Sequence, residues 1–455
     1  MTLSDDIREF HVNAVHHNVQ FPPGMEFGER FIPTVEDSRI PASVYTSRAR
    51  LAEELDKVWY RTWQMACRVE EVEEPGDFYE YVIGDQTILI VRGDDQVLRA
   101  FPNTCRHRGT ALKTGTGNAS DLRCSFHAWC WSLQGQLANI PERHLFSGVA
   151  DEDYALPELG CDVWNGFVFV HPKPEVAPPL RAFLGRVADD CDAYHMDRYR
   201  ATTHARIELD CNWKVAIEAF LEAYHVSFTH PQILAYLDDL NTAFEVFGDH
   251  SRMVIPYGVP SMRLEHVDPA ETYESYFNRS ATSFRHTADE AALPEDLFDA
   301  DGNWISTSSI RDYMIEHARA KGAKLGHDYS LLSTEQLVDD YDYFIFPSLK
   351  FNSHAGAALC FRARPHATDP DRCVFDIYTL VWPDETVGEL PKSAPEMPVD
   401  LATQSMGLVL DQDFSNLAKV QRGLHNASFE QVTLGGSEIR VIHLHRVLGA
   451  YLARA

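Results

Sequence analysis

Two short segments constrain this chain more than anything else in it. Cys105-Arg106-His107 and Cys124-Ser125-Phe126-His127 stand sixteen residues apart, and each carries one thiol and one imidazole. Two cysteines and two histidines can hold a pair of irons bridged by two sulfides, with thiolates on one iron and imidazoles on the other. Tetrahedral zinc takes the same donors, but structural zinc modules group cysteine with cysteine and histidine with histidine, whereas each segment here mixes them. Neutral imidazoles in place of thiolates ease electron uptake, to roughly -150 to +300 mV against about -400 mV for an all-cysteine plant-type cluster. The fold must bring two loops together, and the chemistry they offer is one-electron transfer.

The flanking residues add a family likeness. Phe101-Pro-Asn-Thr-Cys105-Arg-His107-Arg-Gly109 and Arg123-Cys124-Ser-Phe-His127-Ala-Trp129 resemble the Rieske domain of the Rieske non-heme iron oxygenases, specifically their large, or alpha, subunits. Ser125 replaces a frequent proline, Ala128 a usual glycine and Cys130 a common aromatic, and none of these departures removes a ligand. Cys130 follows Trp129 and is expected on the packed side of a strand.

A second centre is legible downstream. Asn212-Trp213-Lys214 precedes Glu218, Glu222, Tyr224, His225 and His230 in a stretch that reads as a helix, with Glu218, Glu222 and His225 on one face. His230 reaches that face only if the last turn opens, as Thr229 and Pro231 suggest. An isolated pair of histidines would read as ordinary core or surface residues; the upstream motif changes that reading. Two histidines and one carboxylate form the facial triad of mononuclear iron sites, with open positions for dioxygen and substrate. Asp411-Gln412-Asp413-Phe414-Ser415-Asn416 resembles the family segment that supplies the carboxylate; alignment on Asn416 selects Asp413, with Asp411 as the alternative. By the same resemblance Glu222 replaces the usual aspartate that links the mononuclear iron to a Rieske histidine of the neighbouring subunit, accepting a hydrogen bond from each imidazole. Glutamate at this place is similar to members acting on quaternary ammonium compounds, and Ala219 stands where many relatives carry asparagine.

The 455 residues carry a formal charge of -28, which excludes a nucleic-acid footprint and serves solubility. Met1 to Glu36 has no basic start followed by an apolar run, and no segment approaches about 18 consecutive apolar residues, so a cytoplasmic, non-membrane protein is expected. Nine scattered cysteines suit a reducing compartment. Arg106, Arg108, Lys113 and Arg123 gather around the cluster loops, either as a docking patch for an acidic electron carrier or as donors to loop carbonyls. No dinucleotide-binding glycine motif follows a strand, so electrons must come from separate proteins.

The expected architecture is α+β. Residues 1–50 form an N-terminal arm with a helix near Arg48 to Tyr60, and 51–172 an all-β Rieske domain whose sheet runs from Asp77 and is closed by Trp164 to His171. Pro172 to Pro179 links to a catalytic domain over 173–455. There strands are expected in Tyr341 to Phe351, Ala357 to His366 and Cys373 to Trp382, with helices near Ile310 to Ala320 and over Ile439 to Leu452. The resemblance implies a curved antiparallel sheet gripped by helices, of the helix-grip, START-like kind. Phe220, Phe228, Ile233, Tyr236, Phe346 and Phe351 are candidates for an apolar pocket, though any large core holds such residues.

The resemblance implies a Rieske 2Fe-2S cluster on Cys105, His107, Cys124 and His127, and a mononuclear non-heme Fe(II) on His225, His230 and Asp413. It also implies a ferredoxin and/or flavin reductase supplying NAD(P)H electrons, and a homotrimer or alpha3beta3 assembly. Electrons would cross through His127, Glu222 and His225. Hydroxylation or cis-dihydroxylation of an aromatic or other hydrophobic ring is the first reading, suggested by chain length and the large segment after Leu240. Monooxygenation or demethylation of a quaternary ammonium, N-methyl or O-methyl compound is the second, suggested by Glu222. A plain electron carrier would leave His225, His230 and Asp413 without a role.

Overall fold

A computed structural model describes residues 9–12, 34–279, 294, 297–301, 303–305, 309–388 and 390–454. Most of the expected N-terminal arm lies outside the described residues. The chain divides into two compact units, one of Ala52–Gly185 with His366–Thr368, the other of Met1–Leu51, Arg186–Pro365 and Asp369–Ala455.

The first unit is built of small antiparallel sheets. Asp77–Ile83, Gln86–Arg92 and Leu98–Pro102 pair in succession, with Thr116–Asn118 added at the Asp77–Ile83 edge. Their alternation puts Phe78, Leu89, Val91 and Phe101 into one core with Leu122, Trp129 and Trp131. The expectation that Trp164 to His171 closes this sheet is corrected. Gly160–Trp164 and Phe167–His171 form a hairpin that pairs instead with Gln64–Arg68 as a separate sheet. Asn165 and Gly166 both have positive φ, 50° and 80°, as a two-residue hairpin turn of matching twist demands.

The second unit centres on a nine-stranded sheet. In spatial order its strands are Glu9–Val12, Ala243–Phe247, His250–Ile255, Asp340–Ile345, Leu349–His354, Ala357–Pro365, Cys373–Val381, Arg200–Leu209 and Glu396–Val399. All neighbours are antiparallel except the last pair. The Tyr341 to Phe351 stretch is a hairpin of two strands that reverses at Phe346-Pro347-Ser348, where Pro347 has no N–H to give a ladder. Helices Trp213–Glu218 and Ile439–Leu452 pack on the sheet. Among the described residues no helix is long and apolar enough to cross a membrane.

Register decides which side chains face the helices. Asp340 and Asp342 alternate with Tyr341 and Tyr343, while Lys350 and Asn352 alternate with Phe351. The polar set therefore shares one face with Leu359 and Phe361 of the next strand, and the aromatic set lies on the other.

Candidate active site

The two cluster loops are conformational twins. The Gly109 N–H donates to the Cys105 carbonyl at 2.9 Å and the Ala128 N–H to the Cys124 carbonyl at 3.1 Å, with the chain left-handed at both (φ 83° and 56°). Cys105 and Cys124 sit in the apolar core, whereas His127 is exposed and His107 half-buried. The imidazoles lie with ring centroids 4.8 Å apart, and His107 stacks on Trp129 at 4.9 Å and 6°. Burial, with the neighbouring charges of His127 and Arg108, holds His107 below its ordinary pKa, in the neutral form a ligand needs. The Phe126 N–H points at Cys124 Sγ at 3.4 Å. All four donors thus meet with thiols inside and imidazoles outward, a donor set fit for a two-iron cluster. Cys130 is buried on a strand as expected, its thiol pushed up to about 11 by burial and by Asp121.

The basic residues around these loops divide between two roles. Arg106 donates to the Ala155 and Asp153 carbonyls at 3.2 and 3.1 Å, and Arg123 pairs with Asp121 at 2.6 Å. Arg108 lies over Phe126 and Lys113 over Phe78.

In the second unit the continuous helix expected from Trp213 to His230 is broken. Asn212 caps Trp213–Glu218 through its side chain, which accepts the Lys214 N–H at 3.0 Å, but the helix stops at Glu218 and a short one resumes over Val226–Thr229. Glu222 lies in the gap, where its Oε2 accepts the His225 backbone N–H at 3.0 Å, a side-chain acceptor in place of a helical carbonyl. The second helix ends at Thr229 and His230 leaves it with φ -123° and ψ 50°, so the last turn opens.

This break brings His225 and His230 onto one carboxylate. Asp413 Oδ1 is 2.8 Å from His230 Nε2 and 3.7 Å from His225 Nε2. Asp413 projects from the helix Leu408–Leu424. Asp411, two residues earlier, turns away to accept from Ser405 Oγ and from the Met406 N–H at 2.8 Å. Both imidazoles are oriented from behind, His225 Nδ1 by Glu222 Oε1 at 2.6 Å and His230 Nδ1 by Gln412 Oε1 at 2.9 Å. These acceptors place the ring protons on Nδ1 and leave each Nε2 for a metal. Burial opposes protonation of His225, and the hydrogen bond and charge of Glu222, joined by the charge of Asp413, outweigh it and raise its pKa. Two imidazole nitrogens and one carboxylate oxygen suit a divalent iron.

A cavity of about 130 Å³ opens on the triad. Its lining joins the apolar Phe220, Ile233, Leu237, Ile255, Leu359 and Phe361 to a polar floor of Asp340, Asp342, Lys350 and Asn352. Asn352 Nδ2 donates to Asp340 Oδ1 and Oδ2 at 3.0 and 2.7 Å, and Lys350 pairs with Asp342 at 2.9 Å. Of the six apolar candidates, Phe220, Ile233 and Tyr236 line the cavity. Phe228 is 72% exposed, Phe346 packs on Tyr451, and Phe351 stacks on Tyr343 across the sheet. Sequence reasoning missed Gln412 and the polar floor. The adjacency of Gln412 to Asp413, and the Lys350/Asn352 alternation within a strand, were the available signals.

These two sites belong to a known pairing. Residues 62–149 match the Rieske [2Fe-2S] domain and residues 196–454 the ring hydroxylating alpha subunit, catalytic domain. The chain belongs to the ring-hydroxylating alpha-subunit family, a family of oxidoreductases whose members carry a Rieske cluster and a non-heme iron. It is 31% identical over 211 residues to biphenyl 2,3-dioxygenase subunit alpha of Rhodococcus jostii (strain RHA1), covering 44% of this chain and 45% of that protein. It is 29% identical over 214 residues to the carnitine monooxygenase oxygenase subunit of Escherichia coli (strain K12), covering 46% and 57%. These matches span about half the length of each relative. The fold is shared with a quaternary ammonium Rieske monooxygenase solved with L-carnitine (TM-score 0.62, 18% identity, 91% of this chain and 95% of that one). It is shared equally with naphthalene 1,2-dioxygenase (TM-score 0.65, 17% identity, 91% and 92%).

Proposed function

We propose that this chain is the oxygenase component of a Rieske system, oxidising a small N-methylated or quaternary ammonium compound at the site made by His225, His230 and Asp413. The observation that carries the substrate reading is the ionic floor of the cavity. Asp340 is almost wholly buried yet lines the cavity with Tyr236 and Tyr257; its carboxylate meets the Tyr257 hydroxyl at 3.4 Å and His354 Nε2 at 3.4 Å. A cavity that carries buried carboxylates together with tyrosine rings favours an organic cation over a plain hydrocarbon. The name of the carnitine relative fits this reading, as does Glu222. Dioxygenation of an aromatic ring is the second reading; the name of the biphenyl 2,3-dioxygenase relative fits it, and the apolar part of the cavity lining supports it.

The residues divide the work. Iron held by His225 Nε2, His230 Nε2 and the Asp413 carboxylate would supply dioxygen activation through its open coordination positions. Glu222 and Gln412 hold both rings in the ligating tautomer. The apolar wall excludes water, and the floor orients the substrate so that its methyl group faces the triad. Dioxygen with two electrons and two protons leaves one oxygen atom in the substrate and one in water. Hydroxylation of an N-methyl carbon then releases that carbon as an aldehyde.

Cys105 and Cys124 would hold one iron of the cluster, and His107 and His127 the other. The electron is proposed to come from a separate ferredoxin or flavin reductase and to pass from His127 of one subunit to Glu222 and His225 of the next in a trimer. Support comes from each site reaching the surface on its own unit: His127 is exposed on the first, and Tyr224 (55%) and Phe228 (72%) beside the triad on the second. A cytoplasmic setting suits nine free cysteines.

The test is product analysis with isotopically labelled dioxygen on N-methylated amines and on aromatic hydrocarbons, with the reconstituted electron chain. One labelled atom in an aldehyde from the amines supports the first reading. Two labelled atoms in a cis-diol establish the second and end the first.

A further inference from the structure

Five tyrosines form a continuous run of rings from the triad cavity to the surface of the second unit. Tyr236 and Tyr257 both line that cavity; the Gly258 N–H donates to the Tyr236 carbonyl at 2.9 Å and Leu237 bridges Tyr257, which ties their backbones together. Their ring centroids lie 5.4 Å apart, and Tyr276 stands 5.8 Å from the first and 6.2 Å from the second. Phe277 touches Tyr276 at 4.9 Å and Tyr273 at 4.4 Å, and Tyr273 meets Tyr313 of the helix Ile310–Leu325 at 5.8 Å. Tyr273 belongs to the helix Pro269–Glu274, and Tyr276 to the π-helical turn Ser275–Arg279 that follows it, a rare geometry found often at functional sites. Tyr276 and Tyr313 are half-buried, and the other three are buried.

Packing alone does not ask for these residues. Phenylalanine fills nearly the same space, and every buried phenol adds a hydroxyl whose desolvation must be offset by a hydrogen bond. What tyrosine adds is a ring that can give up one electron, provided its proton has an acceptor. Tyr257 has one: its hydroxyl meets Asp340 Oδ2 at 3.4 Å. Burial and the charge of Asp340 keep this phenol protonated at rest. Burial opposes ionisation of Asp340, and the hydrogen bond and charge of His354 with the charge of Lys350 outweigh it, so the acceptor stands as a carboxylate. Electron transfer between rings falls exponentially with the gap, so short steps between touching rings outrun one long jump. Phe277 is not itself oxidised; its ring fills the gap between Tyr276 and Tyr273.

We propose that Tyr236, Tyr257, Tyr276, Tyr273 and Tyr313 form a conduit that drains oxidising equivalents from the triad cavity when oxygen chemistry starts there without a substrate. This goes beyond the oxygenase reading above and rests on it for the iron alone. In the first step Tyr257 loses an electron to the oxidised site and its phenolic proton to Asp340, leaving a neutral tyrosyl. That radical then takes an electron from Tyr276 and recovers its proton from Asp340. The vacancy moves through Tyr273 to Tyr313, where an external thiol gives the electron and the proton that restore the phenol. Two such passages, with two protons, reduce hydrogen peroxide to two waters and join two thiols as a disulfide. The oxidation that would otherwise fall on His225 and His230 is spent on a replaceable reductant.

The experiment mixes the holoenzyme, its cluster oxidised and so silent in electron paramagnetic resonance, with hydrogen peroxide in the absence of substrate, and freeze-quenches it. The wild type should show a tyrosyl resonance that an added thiol such as glutathione erases. Tyr276→Phe and Tyr313→Phe, which keep the rings and remove only a hydroxyl, should each slow that erasure severalfold. Mass spectrometry should then find severalfold more oxidised His225 and His230 in both variants, with turnover on a true substrate unchanged. Absence of a tyrosyl signal in the wild type overturns the conduit, as do thiol quenching and histidine oxidation that are the same in the wild type and both variants. Zinc in place of the mononuclear iron should abolish the signal; a signal that persists with zinc overturns the triad cavity as its source. The challenge uses no substrate, so a failed substrate reading leaves its outcome intact, whereas metal analysis that finds only the cluster irons removes the oxygenase reading and the conduit together.

Discussion

Glu222 grips His225 twice, by Oε1 on the ring Nδ1 at 2.6 Å and by Oε2 on the backbone N–H at 3.0 Å. One side chain thus takes up the backbone N–H at the entry to the helix Val226–Thr229 and sets the imidazole tautomer. Removing its charge while keeping its shape separates these effects. Glu222→Gln should retain iron, and coupled turnover should fall by about 10- to 100-fold, the usual cost of losing a partner behind a metal-bound histidine. Stopped-flow reoxidation of the reduced cluster checks it: a rate unchanged from the wild type removes Glu222 from the electron path.

Asp411 and Asp413 part company in a single turn of the helix Leu408–Leu424. Asp413→Ala should cut iron from three to two per chain with the reduced-cluster resonance signal intact. Asp411→Ala should leave all three irons and cost about 1 kcal/mol of stability, the value of an acceptor at a helix start. Metal analysis beside thermal unfolding reads both; iron loss in Asp411→Ala would transfer the ligand role.

How much of this was legible beforehand follows from range. The cluster loops declare themselves because all four donors lie within 23 residues, a spacing read directly from the chain. His225 and His230 were visible for the same reason, and Asp413, about 190 residues further on, only through a family likeness. The broken helix was not legible: Ala219, Phe220 and Leu221 are ordinary helix residues, and nothing local announces that Glu222, by taking the His225 N–H, will serve the next helix rather than continue the first. The cavity floor was hidden by register. Nothing local says that Lys350 faces the triad and Phe351 the opposite side until strand pairing sets the parity. C-terminal helix bounds, by contrast, follow from periodicity, and Ile439–Leu452 is the span observed.

Ala128 occupies the turn position that Gly109 fills in the twin loop, at φ 56° with a side chain that disfavours it. Ala128→Gly relieves the left-handed strain but gives the unfolded chain more freedom, leaving a net gain of about 0.5 to 1 kcal/mol. The thermal midpoint for loss of cluster absorbance should rise by about 2 °C. A fall would mean that the methyl group itself packs usefully against the loop.

His443 sits inside the C-terminal helix where it packs on Ala243–Phe247 and His250–Ile255, and burial pushes its imidazole down to about 4. Its folded pKa is below the unfolded value of about 6.5, so between these limits the unfolded chain binds the extra proton. Stability is therefore fully present above about pH 6.5 and is lost as pH falls toward 4, by up to about 3 kcal/mol for this group. Replacement by an apolar side chain of similar size removes the titration but keeps the packing. Difference curves of denaturant stability for wild type and His443→Leu across pH 4 to 7 should diverge, with the variant gaining relative to wild type as the solution is acidified. Parallel curves would place the proton uptake elsewhere and leave His443 without a part in acid unfolding.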